Sequence, residues 1–95
     1  MNKYEVLYVI DAGMEDQARS ELIAQFGELM TNNGATVEKV DEWGKRRLAY
    51  PINFKNEGYY VLVNFTAAPE FPRELERNFE INENIMRYLV TRVEE

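Results

Sequence analysis

The sequence contains neither histidine nor cysteine, and both absences narrow the chemistry open to the chain. Histidine is the commonest general base near neutral pH and the commonest metal ligand, so its absence argues against most hydrolytic and metal-dependent enzymes. Without cysteine there is no disulfide framework and no thiol nucleophile, which favours a reducing compartment. We therefore expect a protein that is not an enzyme and that needs no cofactor, no metal and no small-molecule substrate.

Long apolar runs are also missing. The stretch from Val6 to Ile10 is far too short to span a membrane, and residues 1–5 lack the basic-then-apolar pattern of a signal peptide. We therefore expect a cytoplasmic protein with no membrane partner. A length of 95 residues predicts one domain, spanning residues 1–95.

Positive charge is scarce, since 11 Lys and Arg face 17 Asp and Glu, for a net charge of −6. At first sight this argues against nucleic acid, whose binding domains are usually basic. A local cluster can nevertheless contact phosphates, because salt screens charges farther away than about 8 Å. The distribution of the cations therefore matters more than their sum.

Alternating and helical apolar periods predict six elements. Strand-like residues occupy 4–10, 35–52, 59–65 and 85–93, and a turn is predicted at 56–58. Val37 and Val40 have opposite parity, which predicts a bulge in the second strand. The first helix begins near Met14 and ends at Gly34. The helical stripes comprise Ala18, Leu22, Phe26 and Met30 in the first helix and Phe71, Leu75 and Phe79 in the second.

The order strand, helix, strand, strand, helix, strand predicts an α+β fold of the ferredoxin-like type, a βαββαβ sandwich. It has a four-stranded antiparallel sheet with two helices on one face, so the other face is open. Contiguous apolar residues on such a face mark a surface for a protein partner. The residues assigned to this partner surface are Leu7, Val9, Trp43, Tyr59, Val61 and Leu89, with Val63 beside them.

The basic residues concentrate in one segment. Lys45, Arg46 and Arg47 are consecutive, with Trp43 before them and Tyr50 after them. Cations contact phosphates and exposed aromatic rings stack on unpaired bases, so this pattern is typical of RNA binding. In the predicted topology Arg87, Arg92 and Lys3 lie nearby. The alternative is a solvated edge strand whose charges deter aggregation.

Three segments resemble the bacterial ribosomal protein S6 family. They are YEVLYVI at 4–10, GKRRLAYPI at 44–52 and NIMRYLV at 84–90, and the similarity extends over essentially the whole chain. The resemblance implies a ribosomal location, binding to the central domain of small-subunit ribosomal RNA, and a heterodimer with the basic ribosomal protein S18. The RNA-contact candidates that it implies are Lys45, Arg46 and Arg47, then Arg87, Tyr88 and Arg92, and then Lys3.

A second function stays open from the residues alone. Ferredoxin-like regulatory or oligomerisation modules pair their sheets and bind a small ligand between them. Such a module does not need the cations at 45–47, and it forms a stable homodimer. A ribosomal protein of this type is instead expected to be monomeric until it meets its partner.

Overall fold

The computed structural model describes residues 1–52 and 55–93, which form six elements. They are β1 (Asn2–Asp11), α1 (Asp16–Asn32), β2 (Thr36–Ile52), β3 (Lys55–Ala67), α2 (Phe71–Glu80) and β4 (Ile85–Arg92). The predicted order of strands and helices is confirmed. Each strand is longer or shorter than predicted by a few residues, as is usual where a pattern fades at an element's end.

The four strands form one sheet in the order β2-β3-β1-β4. β1 pairs with both β3 and β4, β2 pairs with β3, and all three pairings are antiparallel. This is the ferredoxin-like arrangement that the sequence predicts, with β1 and β3 in the centre and β2 and β4 at the edges.

One face of the sheet, here called the helix face, carries the core. Alternate residues of β1 point to it, and they pack with buried residues of both helices. The rings of Tyr8, Phe26 and Phe79 meet at centroid distances between 4.6 and 5.4 Å. The buried residues of this core include Tyr4, Val6, Tyr8, Ile10, Leu22, Phe26, Met30, Phe65, Phe71, Leu75 and Phe79. Both helices therefore cover the same face, and the opposite one is the open face.

The predicted left-handed end of α1 is confirmed at Gly34, which has φ of 82°. Its N–H donates to the Thr31 carbonyl at 3.1 Å, and the Ala35 N–H donates to the Met30 carbonyl at 2.9 Å. This pair of bonds satisfies carbonyls that the helix end leaves free, and glycine adopts the required backbone without a Cβ penalty.

The predicted bulge in β2 is confirmed, and a second one follows it. The register with β3 shifts between Val37 and Lys39 and again between Glu42 and Gly44. The first shift lets Val37 and Val40 pair with Phe65 and Val63, so both lie on the helix face despite their opposite parity. The predicted turn at 56–58 is wrong, because these residues belong to β3 and Ile52 pairs with Lys55.

The predicted placement of Tyr59, Val61 and Val63 on the open face is also wrong. In the register of β1 with β3, Val61 faces Tyr8 and Val63 faces Val6, so both point into the core, and Val61 is 0% exposed. Tyr59 packs against the same core, under the guanidinium of Arg19 from α1. Apolar residues occupy both parities of 59–65, so alternation alone could not assign their faces.

Candidate nucleic-acid and partner interface

The far ends of β2 and β3, residues 44–52 and 55–58, extend as a hairpin that we call the arm. Gly58 allows the arm to approach the sheet closely, since a Cβ at this position would lie 2.2 Å from Val9 Cγ1 and 3.5 Å from Leu48 Cδ2. Leu48 and Val9 are both buried on the open-face side, apart from the main core. The arm thus places a small second apolar cluster on the open face.

Burial by the arm changes the role of one predicted partner residue. Val9 lies on the open face, as predicted, but it is only 4% exposed because the chain's own arm covers it. Val9 therefore supports the arm from below. The prediction that it belongs to an exposed apolar surface is wrong.

Strand alternation separates the three consecutive cations of the arm. Lys45 pairs with Tyr59 and Arg47 pairs with Glu57, which places both on the helix-face side. Arg46 pairs with Gly58 and lies on the open face. All three side chains are exposed, and within residues 1–52 and 55–93 none of them has an ion-pair or hydrogen-bond partner. Their charges are therefore available to an external anion.

An aromatic stack lies beside Arg46 on the open face. The rings of Trp43 and Tyr60 are nearly parallel, with an interplanar angle of 8° and centroids 6.2 Å apart. The Arg46 guanidinium lies over the indole, 5.9 Å from its centroid, and Trp43 Nε1 donates to Asp41 Oδ2 at 3.3 Å. Trp43 is still 41% exposed, so the stack presents a rigid amphipathic surface to solvent.

Leucines continue this surface across the sheet. Leu7 pairs with Leu62 on one side and with Leu89 on the other, so all three share the open face. Leu89 is 63% exposed. A shallow groove runs between them, lined by Leu7, Leu89, Tyr60 and Arg87. Neither helix packs here. Tyr60 and Leu62 were not predicted for this surface, because the parity of β3 was not known from its sequence.

The second group of predicted RNA residues is not brought together. Arg87 pairs with Val9 and lies on the open face, whereas Tyr88 and Arg92 lie on the helix-face side. Tyr88 stacks on Phe79 at 5.4 Å, and the hydrogen bond from its hydroxyl to Glu80 raises the pKa of Tyr88 to about 12. Arg92 donates from Nη2 to Asn2 Oδ1 at 3.2 Å.

Lys3, the third predicted contact, is exposed on β1 at the opposite end from the arm. It pairs with Thr66 in the register of β1 with β3, and its carbonyl accepts the Val93 N–H at 2.9 Å. It therefore lies far along the sheet from Lys45 to Arg47.

Lys55 is a cation of the arm that the sequence prediction omitted. It forms an ion pair with Asp11 at the end of β1, and it lines an open groove together with Lys45, Asn56 and Glu57. The hydrogen bond from Lys55 holds the pKa of Asp11 below its usual range, and the Gly13 N–H, 2.8 Å away, adds to the shift. The pair ties the arm to β1. No signal in the sequence linked these two residues, which are far apart along the chain.

Two searches of the described residues returned nothing. No helix in these ranges has both the length and the apolar character that crossing a bilayer requires. No three Asp or Glu side chains in the same ranges converge as ligands of one metal ion do.

Comparisons with known proteins decide the family. The family model described as "Ribosomal protein S6" matches residues 3–92. The small ribosomal subunit protein bS6 of Alkaliphilus oremlandii is 48% identical over 94 residues, which are 99% of either chain. That of Caldanaerobacter subterraneus subsp. tengcongensis is 44% identical over 95 residues, the whole of both chains. The chain belongs to the ribosomal protein S6 family.

A solved structure supports the same assignment for this S6-family chain. The crystal structure of 30S ribosomal protein S6 from Thermotoga maritima superposes with a TM-score of 0.92 at 25% identity, covering 97% of this chain and 87% of that one. The chain is therefore a protein of the small ribosomal subunit, located in the cytoplasmic ribosome, and it is not an enzyme. Its surface should accordingly be interpreted as a set of contacts to other components.

Proposed function

We propose that this S6-family chain binds the central domain of small-subunit ribosomal RNA as a heterodimer with ribosomal protein S18. The arm provides cations to phosphates, and the open face contacts the partner. One observation carries the proposal: three consecutive exposed cations, without internal partners in the described ranges, adjoin an apolar sheet face that neither helix covers.

The distribution of charge supports the orientation toward RNA. Acidic residues concentrate on the helices and their connections, at Glu15, Asp16, Glu21, Glu28, Glu70, Glu74, Glu76, Glu80 and Glu83. Phosphates repel carboxylates within about a Debye length, roughly 8 Å at physiological salt. RNA is therefore expected at the arm and away from the outer surface of the helices. A basic partner such as S18 supplies further positive charge that this chain lacks.

The open face supports the protein partner. Leu89 is 63% exposed, Trp43 is 41% exposed, and Leu7 and Leu62 lie between them. Large contiguous apolar surface is unusual on a protein that works alone, and it marks a place that another subunit covers. The same face holds the arm, so the proposed RNA and protein surfaces adjoin.

The test is a titration of a labelled central-domain RNA fragment with this chain, with S18, and with an equimolar mixture. We expect tight binding by the mixture and much weaker binding by either protein alone. The triple variant Lys45→Gln, Arg46→Gln, Arg47→Gln should weaken binding by the mixture at least about tenfold, since phosphate contacts supply much of the affinity. The exposed α2 cation Arg73, changed to Gln, is the control. Unchanged affinity of the triple variant would refute the role of the arm.

A further inference from the structure

We infer that strand alternation divides the basic triplet between two ligands: Arg46, with Trp43 and Tyr60, contacts the partner protein, while Lys45 and Arg47 contact RNA. The inference rests on the proposed function and deepens it, because it assigns each cation of the arm to one of the two surfaces. It also changes the role that the sequence predicted for Arg46.

The register of the arm separates the side chains physically. Arg46 lies opposite Gly58, on the face that carries Val9, and its neighbours Lys45 and Arg47 point to the other side. Successive side chains of a strand alternate between the two faces of a sheet. A ligand lying along one face of the arm therefore cannot contact all three cations equally.

The surroundings of Arg46 are those of a protein interface. Arg, Trp and Tyr are the residues that dominate the energy of protein–protein contacts, and here one of each lies in a single stack. The indole positions the guanidinium before binding, so less conformational entropy is lost on association. The stack continues into the exposed leucines of the open face. Aliphatic side chains do not bind phosphate, but they are buried well by another protein.

Stacking of a nucleobase on Trp43 is the competing explanation of this cluster. Bases stack on exposed aromatic rings, and arginine can add a cation–π contact. The indole of Trp43 is already in contact with the ring of Tyr60 and the guanidinium of Arg46. A base would compete with these two groups for the ring. A partner protein can instead pack over the stack as it stands.

The other two cations lie in polar surroundings. Lys45 lines the groove with Lys55, Asn56, Glu57 and Asp11. Lys55 is engaged by Asp11, but Lys45 has no partner among the described residues, and the same is true of Arg47. Flexible exposed cations without apolar neighbours suit phosphate, which they meet as charges.

The test compares Arg46→Gln with the double variant Lys45→Gln, Arg47→Gln. Affinity for S18 is measured without RNA by calorimetry, and affinity for the RNA fragment is measured at saturating S18 over a range of salt. We expect Arg46→Gln to weaken S18 binding at least about tenfold and to leave the salt dependence of RNA binding unchanged. The double variant should keep its S18 affinity within about twofold. Its log–log salt slope should fall by about two, about one per phosphate contact.

A conservative variant separates charge from stacking. Arg46→Lys keeps the positive charge but loses the planar guanidinium, so S18 affinity should stay reduced while RNA binding stays normal. Thermal unfolding of each variant checks the fold, which exposed side chains should leave intact.

Two results would overturn the division. One is a lowered salt slope for Arg46→Gln with unchanged S18 affinity, which assigns Arg46 to RNA. The other is equal loss of both affinities in both variants. If the unaltered chain binds neither S18 nor RNA, the proposed function itself fails. The unaltered chain therefore distinguishes that failure from failure of the division.

Discussion

The guanidinium of Arg87 in β4 lies over the ring of Tyr50 in β2, 5.2 Å from its centroid, although these strands are opposite edges of the sheet. The contact exists because the arm curls over the open face. Leu48 on Val9 and Lys55 with Asp11 hold the arm at two further points. The proposed RNA-binding cations are thus carried on a hairpin that three different contacts position.

Removing the Arg87 contact should loosen the arm without unfolding the protein. Arg87→Gln loses a cation–π pair whose value at an exposed site is about 0.5–1 kcal/mol, and Tyr50 is 55% exposed. We expect faster amide hydrogen exchange in residues 45–51 and a fall in global stability of at most about 1 kcal/mol. Arg73→Gln should change neither. Unchanged exchange in the arm would show that this contact does not position it.

Two glycines should respond to alanine with opposite signs. At Gly58 a Cβ would lie 2.2 Å from Val9 Cγ1, and overpacking of this kind costs about 1–3 kcal/mol. At Gly27, in α1, a Cβ meets nothing within 4 Å, and alanine there should stabilise by about 0.5–1 kcal/mol. Urea unfolding measures both. Adding Val9→Ala should recover part of the Gly58→Ala loss, whereas strictly additive effects would contradict the contact.

The ion pair of Asp11 and Lys55 should make stability depend on acid pH. Since the pKa of Asp11 is lowered in the folded state, the unfolded chain binds more protons near the ordinary pKa of 3.8. The pair therefore stabilises fully above that pH and is lost as pH falls through the lowered pKa. For an exposed pair we expect at most about 1 kcal/mol.

Asp11→Asn isolates this effect, because the amide oxygen can still accept the Gly13 N–H. At pH 7 the variant should be less stable than the unaltered chain, and the difference should vanish in strong acid. A difference that is constant over the whole acid range would exclude the ion pair as its source. Urea midpoints at a series of pH values provide the measurement.

The ring cluster of the core should account for a large share of the stability. Phe79 is 1% exposed and contacts Tyr8, Phe26 and Tyr88 at centroid distances of 4.6–5.4 Å. Phe79→Ala should destabilise by about 3–5 kcal/mol, a large fraction of the 5–15 kcal/mol typical of a domain. Chemical denaturation measures the loss. A cost below about 1 kcal/mol would mean that the cluster is not well packed.

The sequence predicted most of the fold because its local signals agree. The stripe through Leu22, Phe26 and Met30, the left-handed end at Gly34 and the opposite parity of Val37 and Val40 each predicted a local feature that the structure has. Leu7 and Leu89 were also assigned correctly to the open face, because polar residues alternate with the apolar ones near the end of β4. Consistent local choices are what specify one topology.

The site was predicted less completely, for two physical reasons. β3 is apolar on both faces over residues 59–65, so Tyr59 and Val61 could not be distinguished from Tyr60 and Leu62. The second bulge of β2, between Glu42 and Gly44, shifts the face on which each later residue lies. Neither the separation of Arg46 from Lys45 nor the burial of Val9 could therefore be inferred before the register was known.

The most direct test of the account is the methyl NMR spectrum of leucine-labelled protein, recorded with S18 and then with S18 and the RNA fragment. The account predicts that S18 shifts the methyl signals of Leu7, Leu62 and Leu89 on the open face. The signals of Leu22 and Leu75 in the helix-face core should stay in place. Shifts confined to Leu22 and Leu75, with the open-face leucines unmoved, would contradict the claim that this face receives the partner.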